Sequence, residues 1–166
     1  MEKGRQWCFG AKGAYKMLFG SSACAFPNRR IWMDKVPTKV SFFAWEASWG
    51  KILTLDKLQR RGWQLPNRCF LCGCEEENAN HILLHCTVVK TLWEIALVIF
   101  GVQWVFPESV IEVLLSWRGS FVGKKGKNTW NSIPLCIFWT VWKERNRLAF
   151  KGGVFRYSKI QEFFCM

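Results

Sequence analysis

One short stretch of the sequence, "RCFLCGCEEENANHILLHC" (residues 68–86), constrains the fold more than any other. It contains four of the eight cysteines and both histidines of a 166-residue chain. Zinc is bound tetrahedrally by four nitrogen or sulfur ligands, and a Cys-x2-Cys pair joined by a turn can supply two of them. The stretch therefore predicts one zinc site. Its available ligands are Cys69, Cys72, Cys74, His81, His85 and Cys86.

The spacing permits two complete ligand sets and does not choose between them. Cys69, Cys72, His81 and Cys86 form a Cys3His set, whereas His85 in place of Cys86 forms a Cys2His2 set. In either case the protein fills all four positions, so we expect a closed, structural site rather than a catalytic one. A redox Cys-x-x-Cys motif is disfavoured because no βαβ pattern surrounds it. Buried thiols with incidental histidines are the less economical interpretation.

The rest of the chain predicts helices, because apolar residues recur at helical spacing and period-2 alternation is rare. We expect a short helix within 14–19, a helix pair across 37–62 and a helix over 86–100. Further helices follow Pro107 and fill most of residues 129–150. The fold class is therefore mainly α, a small helical domain with a zinc knuckle between helices.

Three parts are expected along the chain. Residues 1–30 form an N-terminal helix and loop, residues 31–105 a zinc-binding domain, and residues 106–166 a C-terminal helical extension. Two apolar helix faces are predicted to lie in the core. The first consists of Val40, Phe43, Ala44, Ala47 and Ile52, and the second of Val89, Leu92, Trp93, Ala96, Val98 and Ile99.

The net charge of +12 favours an anionic partner, with RNA or DNA first. Residues 1–68 hold 13 Lys/Arg against 4 Asp/Glu, so most of the excess lies before the cysteine-rich stretch. Such contacts are made to the backbone and tolerate any base sequence. Each basic group also has an ordinary interpretation as a helix end, a solvated turn or the wet face of a helix. The candidates are Arg60, Arg61 and Arg68; Lys124, Lys125 and Lys127; and Lys143, Arg145 and Arg147.

Trp63 lies between the first arginines and the cysteine-rich stretch. Its ring could stack on a base, but we favour a core position beneath the zinc site, because large aromatic side chains usually pack inside. The consecutive residues Glu75, Glu76 and Glu77 cannot all point inward, so a solvated loop is expected for them.

Catalytic patterns are missing from the chain. Polymerases need paired aspartates that hold two metal ions, whereas Asp34 and Asp56 are the only aspartates and lie far apart. The segment "GKKGKN" lacks the spacing of a phosphate-binding loop. We find no secretory signal and no transmembrane segment. We therefore expect a non-enzymatic protein that is not secreted and contacts no membrane, located in the nucleus or cytoplasm, where thiols stay reduced.

Residues 35–86, from "KVPTKVSFFAWEASWG" through "TLDKLQRRG" to "CFLC" and "HILLHC", resemble the zinc-binding domain associated with the reverse transcriptase of plant LINE-type (non-LTR) retroelements. The later "VWKERNRLAFKG" is similar to sequence that follows this domain. The resemblance implies one structural Zn²⁺ held by Cys69, Cys72, His81 and Cys86, with His85 as the alternate ligand.

Two functions from different classes follow from the residues and the resemblance. The first is a zinc-stabilised module that binds RNA or DNA through its basic residues. The resemblance implies that such a module helps the polymerase to engage RNA or DNA during copying. The second is a structural module that docks on the polymerase part of a retroelement protein and makes no nucleic-acid contact. The many tryptophans support the second, because a detached fragment can expose a surface that is buried in the parent protein.

Overall fold

The computed structural model describes residues 28–117 and 126–153. The predicted helix within 14–19 and the candidates Lys124 and Lys125 lie outside these ranges. Within them the structure contains helices and no strand, so the predicted mainly α class is confirmed. The elements are α1 (Asn28–Ile31), α2 (Thr38–Ser48), α3 (Leu55–Arg60), a π-helical turn (His81–His85), α4 (Thr87–Ile99), α5 (Val110–Ser116) and α6 (Lys127–Lys151).

Helix α2 begins and ends where proline and glycine predict. Pro37 is the residue before its first turn, where the missing N–H costs no hydrogen bond. Gly50 follows the helix with a φ of 59°, a left-handed conformation that glycine adopts without a Cβ clash. All five residues of the first predicted core face are buried, from Val40 to Ile52.

A cluster of stacked rings fills the centre of the molecule. Trp117 stacks on Trp130 with centroids 4.4 Å apart, and Trp93 lies 5.4 Å from Trp117. Phe138 lies 5.9 Å from Trp93 and is fully buried. We call these four residues the aromatic core. Their burial accounts for three of the eleven tryptophans, since each such ring removes a large apolar area from water.

The second predicted core face, on α4, is only partly correct. Val89, Leu92, Trp93 and Ala96 are buried, but Val98 is 78% exposed and Ile99 is 56% exposed. Leu97 continues the buried stripe instead. Val98 is rotated away from Trp93 by the helical repeat of 3.6 residues, and Ile99 is the last residue of the helix.

Helix α6 connects the predicted C-terminal extension to the predicted zinc-binding domain. It packs against α2, the π-helical turn and α4. Buried residues from both parts belong to one hydrophobic cluster, which runs from Ile31 through Cys86 to Leu148. The boundary at residue 105 stays a prediction, but the two sides of it share one core.

No helix within residues 28–117 and 126–153 has the length and apolar character needed to cross a lipid bilayer.

Candidate metal centre

The fold brings four of the six possible ligands together. One ligand atom from each of Cys69, Cys72, His81 and Cys86 lies within 4.8 Å of all the others. The Sγ atoms of Cys69 and Cys86 are 4.0 Å apart, and Sγ of Cys72 lies 3.5 Å from Nε2 of His81. Three of the four residues are buried, and Cys72 is partly buried. We call residues 67–86, which contain these ligands, the metal loop.

The first two ligands lie on a tight turn. The N–H of Gly73 donates to the carbonyl of Cys69 (2.8 Å), and the N–H of Cys69 donates to the carbonyl of Glu75 (2.8 Å). Gly73 has a φ of 69°, which a residue with a Cβ rarely adopts. These bonds turn the chain back on itself between residues 69 and 75, so that both thiols face the same point.

The other two ligands are placed by the π-helical turn. The side chain of Asn78 accepts a hydrogen bond from the N–H of His81 (2.8 Å) and so caps the turn that carries this histidine. The N–H of Cys86 then donates to the carbonyl of His81 (2.7 Å), five residues back. Cys86 has a ψ of 131° and leaves the helical path. This break after His85 lets Cys86 reach the site from which an unbroken helix would carry it away.

His85 and Cys74 do not join the cluster. Nε2 of His85 lies 3.0 Å from the carbonyl oxygen of Glu108, and the exposed thiol of Cys74 donates to the carbonyl of Cys72 (3.2 Å). The geometry thus supports the Cys3His set that the resemblance implies, and the alternate His85 lies elsewhere.

The donor atoms fit a zinc ion. Zinc–sulfur bonds of about 2.3 Å and a zinc–nitrogen bond of about 2.0 Å give a tetrahedron with edges of about 3.5–3.8 Å. The distances of 4.0 Å between Cys69 and Cys86, and of 3.5 Å between Cys72 and His81, are close to these edges. Zinc bound here supplies a cross-link between the Cys69–Cys72 turn and the start of α4, and the closed ligand set leaves no position for a substrate.

Hydrogen bonds within the cluster shift the pKa values of Cys69, His81 and Cys86. The hydrogen bond to Cys86, together with burial, raises the pKa of Cys69 to about 12. The same hydrogen bond lowers the pKa of Cys86, helped by the N–H groups of Val88 and Val89 at the start of α4. Hydrogen bonding to Cys69 is the main cause that raises the pKa of His81 to about 9. Zinc must displace these protons when it binds.

A carboxylate lies behind the histidine ligand. Nε2 of His81 faces the thiols, and its Nδ1 lies 3.0 Å from Oε2 of Glu75. The oxygen lies off the direction of an ideal hydrogen bond, and Nδ1 has no hydrogen-bond partner among the residues that the structure describes. A carboxylate in this position fixes the ring and its tautomer in many zinc sites. The sequence analysis did not predict Glu75 as a partner of His81, although a carboxylate partner is typical of zinc-bound histidine.

A buried ion pair ties the metal loop to α6. Arg145 donates to both carboxylate oxygens of Glu77, at 2.6, 3.1 and 3.2 Å, and Glu77 is fully buried. Oε1 of Glu77 also accepts from the N–H of Leu55 at the start of α3 (3.1 Å). The guanidinium lies 5.0 Å from the ring of Phe70 and 5.1 Å from that of Trp142.

Two predictions are wrong at this ion pair. Glu77 was expected in a solvated loop, which holds for the exposed Glu75 and Glu76 but not for this residue. Arg145 was a candidate for nucleic-acid contact, but it is only 4% exposed and its charge is neutralised by Glu77. No sequence signal distinguishes Glu77 from its neighbours, because the contact spans 68 positions.

The remaining basic candidates fall into three groups. Arg60, Arg61 and Arg68 are exposed; Arg60 ends α3, Arg61 follows it, and Arg68 lies in the first residues of the metal loop. Lys127 and Lys143 are exposed on α6. Arg147 is paired with Glu144, at 2.6 and 2.9 Å, which reduces its availability to phosphate.

Trp63 does not fill the core beneath the zinc site. Its side chain is 63% exposed, so the favoured prediction is wrong and the ring faces solvent. In the metal loop, the fully buried apolar residues are instead those of the π-helical turn, Ile82, Leu83 and Leu84.

Comparison with known protein families gives one match. A family model described as zinc-binding in reverse transcriptase matches residues 9–93, which include all four clustered ligands. No curated protein and no solved structure gives a significant match. With half of the chain matched and the Cys3His cluster in place, the chain belongs to the family of zinc-binding domains in reverse transcriptase.

Proposed function

We propose that this domain is a non-catalytic module that binds the backbone of RNA or DNA, in a protein derived from a plant LINE-type retroelement. The observation that carries the proposal is the exposure of Arg60, Arg61 and Arg68 beside the metal loop. Residues 57–68 contain these arginines, Lys57 and no acidic residue. Phosphate contacts by such groups supply affinity without base specificity.

The metal centre supports this function indirectly. Three thiolates, a neutral imidazole and Zn²⁺ carry a net charge of about −1, so the centre itself does not attract phosphate. It fixes the turn that follows Arg68, because the N–H of Cys69 and the side chain of Asn67 are both hydrogen-bonded within the metal loop. We place the protein inside the cell, where reduced cysteines can hold zinc.

A salt titration with a matched control tests the proposal. The zinc-loaded chain should bind a fluorescent oligonucleotide with an affinity that falls steeply as salt rises. In the variant Arg61→Ala/Arg68→Ala, the slope of log affinity against log salt should become shallower by about 0.7 for each lost contact with a single strand. The control Lys35→Ala/Lys90→Ala removes the same charge from two other exposed positions. An equal loss in both variants would show that only net charge matters.

A second function is favoured by a different surface. Trp32 is 42% exposed, Phe42 52% and Trp49 45%, and the rings of Trp32 and Phe42 meet edge to face at 5.0 Å. Exposed rings of this kind suit docking on another protein, here the polymerase part of a retroelement protein. This function predicts no affinity for polyanions, together with self-association that falls in Phe42→Asp, as measured by light scattering.

A further inference from the structure

The chain from the last residue of α3 to the first residues of the metal loop exposes an aromatic ring and several cations. Of residues 60–68, called here the arginine segment, only Asn67 is even partly buried. Trp63 is 63% exposed and lies between Arg61 and Arg68 in the chain. A tryptophan with this exposed fraction lacks most of the stabilisation that a large ring gains when its apolar area is buried. A ligand that covers this ring beside the arginines needs both negative charge and a flat apolar face.

The arginine segment is held in place at both ends, although it is exposed. At its start, the N–H of Trp63 donates to the carbonyl of Leu58 (3.2 Å), and the side-chain amide of Gln59 donates to the carbonyl of Leu65 (2.8 Å). At its end, Asn67 accepts a hydrogen bond from the N–H of Glu77 (2.9 Å) within the metal loop. The backbone that carries Trp63 is thus fixed before any ligand binds, which lowers the entropy lost on binding.

Charge in the segment suits a polyanion. Arg61 and Arg68 have no acidic residue within the segment. Arg60, whose side chain is 71% exposed, makes a long contact of 3.7 Å with Asp56. An exposed pair of this kind contributes little and leaves the guanidinium available. Modules that bind unpaired nucleotides combine cations with exposed aromatic rings, because phosphates contact the cations while a base stacks on the ring.

We infer that Trp63 is a stacking platform for an unpaired base, so that the arginine segment binds single-stranded RNA or DNA in preference to a duplex. The inference rests on the proposed function and adds a ligand class to it. In a duplex each base already stacks between its neighbours, so Trp63 has no free base face to contact. Phosphate contacts by Arg61 and Arg68 are available to both forms, and the ring alone distinguishes them.

The test compares three chains on two probes at one salt concentration. The probes are a fluorescent oligothymidylate of about 12 nucleotides, within the site sizes of small single-strand-binding modules, and a duplex of the same length. The chains are wild type, Trp63→Leu and Trp63→Phe, all zinc-loaded, with affinity measured by fluorescence anisotropy. Because Trp63 is exposed, the variants should fold, and their zinc content and circular dichroism verify this.

Trp63→Leu should weaken binding of the single strand on the order of tenfold, with the duplex unchanged, while Trp63→Phe keeps most of the affinity because it keeps a ring. Leu65→Ala, at another exposed apolar position of the segment, should change neither affinity. Equal binding of the single strand by wild type and Trp63→Leu overturns the inference and leaves the proposed backbone binding intact. An equal loss on both probes also overturns it. Failure of the wild type to bind either probe at low salt overturns the proposed function as well.

Discussion

Polar groups and metal ligands hold the metal loop in its conformation, whereas the packing of aromatic rings holds the aromatic core together. Residues 67–86 are shaped by four metal ligands, by the side chains of Asn67 and Asn78, and by the ion pair of Glu77. The aromatic core consists of four rings with centroids 4.4–5.9 Å apart. Where rings pack together, the protein's stability falls in proportion to the volume that a substitution removes. Where polar groups converge on a metal, the loss of one partner removes most of the stabilisation at once.

The two regions are nevertheless joined. Ile82, Leu83 and Leu84 of the metal loop are fully buried, and the indole N–H of Trp93 donates to the carbonyl of Leu83 (3.0 Å). The ion pair between Glu77 and Arg145 makes a second connection, to α6. The comparison therefore concerns two kinds of interaction in one folded unit, and experiments can measure how far the two depend on each other.

The largest effect is expected from removal of the metal. Cys86→Ser should lose the bound zinc and with it a stabilisation on the order of 10 kcal/mol. This is comparable to the whole stability of a small domain. Because Leu83 and its neighbours belong to the common core, the aromatic near-ultraviolet circular dichroism should disappear together with the helical signal. Elemental analysis and thermal unfolding measure both changes.

His85→Ala is the matched control, since His85 contacts the carbonyl of Glu108 and not the cluster. It should keep its zinc and its melting temperature within a few degrees. Loss of zinc in His85→Ala with retention in Cys86→Ser would contradict the Cys3His assignment. Retention of the aromatic signal without zinc would show that the aromatic core is stable without the metal loop.

The aromatic core itself is tested by Phe138→Ala. Phe138 is fully buried beside Trp93, so the change should lower the free energy of unfolding by about 3–5 kcal/mol through the cavity it leaves. The loss should be the same with zinc added in excess, because no ligand is altered. Phe150→Ala on the same helix is the control. Phe150 is 82% exposed, so its removal should cost less than about 0.5 kcal/mol in chemical denaturation.

The connection between the two regions is tested by Glu77→Gln. The change leaves the buried guanidinium of Arg145 without a countercharge, which should cost about 3–5 kcal/mol. Replacing both partners, as in Glu77→Gln/Arg145→Met, should recover part of this loss, because no charge then stays buried. Glu76→Gln is the control at an exposed neighbouring position. A double variant no more stable than Glu77→Gln would show that Arg145 acts through its stacking on Phe70 and Trp142.

Local signals were sufficient to predict α2 and to narrow the metal ligands to two alternative sets in the metal loop. Pro37 and Gly50 mark the two ends of α2, and Cys-x2-Cys followed by His-x4-Cys marks the metal site. Each depends on residues near one another in sequence. Spacing alone left Cys86 and His85 equivalent, and the break of the helix after His85 is what separates them.

Contacts between distant residues could not be predicted in the same way. Glu77 is one of three consecutive glutamates, and only the position of α6 brings Arg145 to it. Trp63 shows the opposite error. Its size favoured a core position, but the ring is 63% exposed, because size alone does not decide whether a given tryptophan enters the core.

The smallest effect is expected from Glu75→Gln, which tests whether the polar order of the metal loop extends beyond its ligands. Oε2 of Glu75 lies 3.0 Å from Nδ1 of His81, but the carboxylate side chain is 65% exposed. Loss of such a partner lowers zinc affinity 10–100-fold in buried sites. Water screens this exposed carboxylate, so we expect about tenfold, measured by competition with a chelator. Glu76→Gln, which removes the same charge one residue further along, should bind zinc like the wild type. Equal affinities in all three chains would mean that the thiols and Asn78 alone orient His81, and that the metal loop, like the aromatic core, is ordered by its innermost contacts.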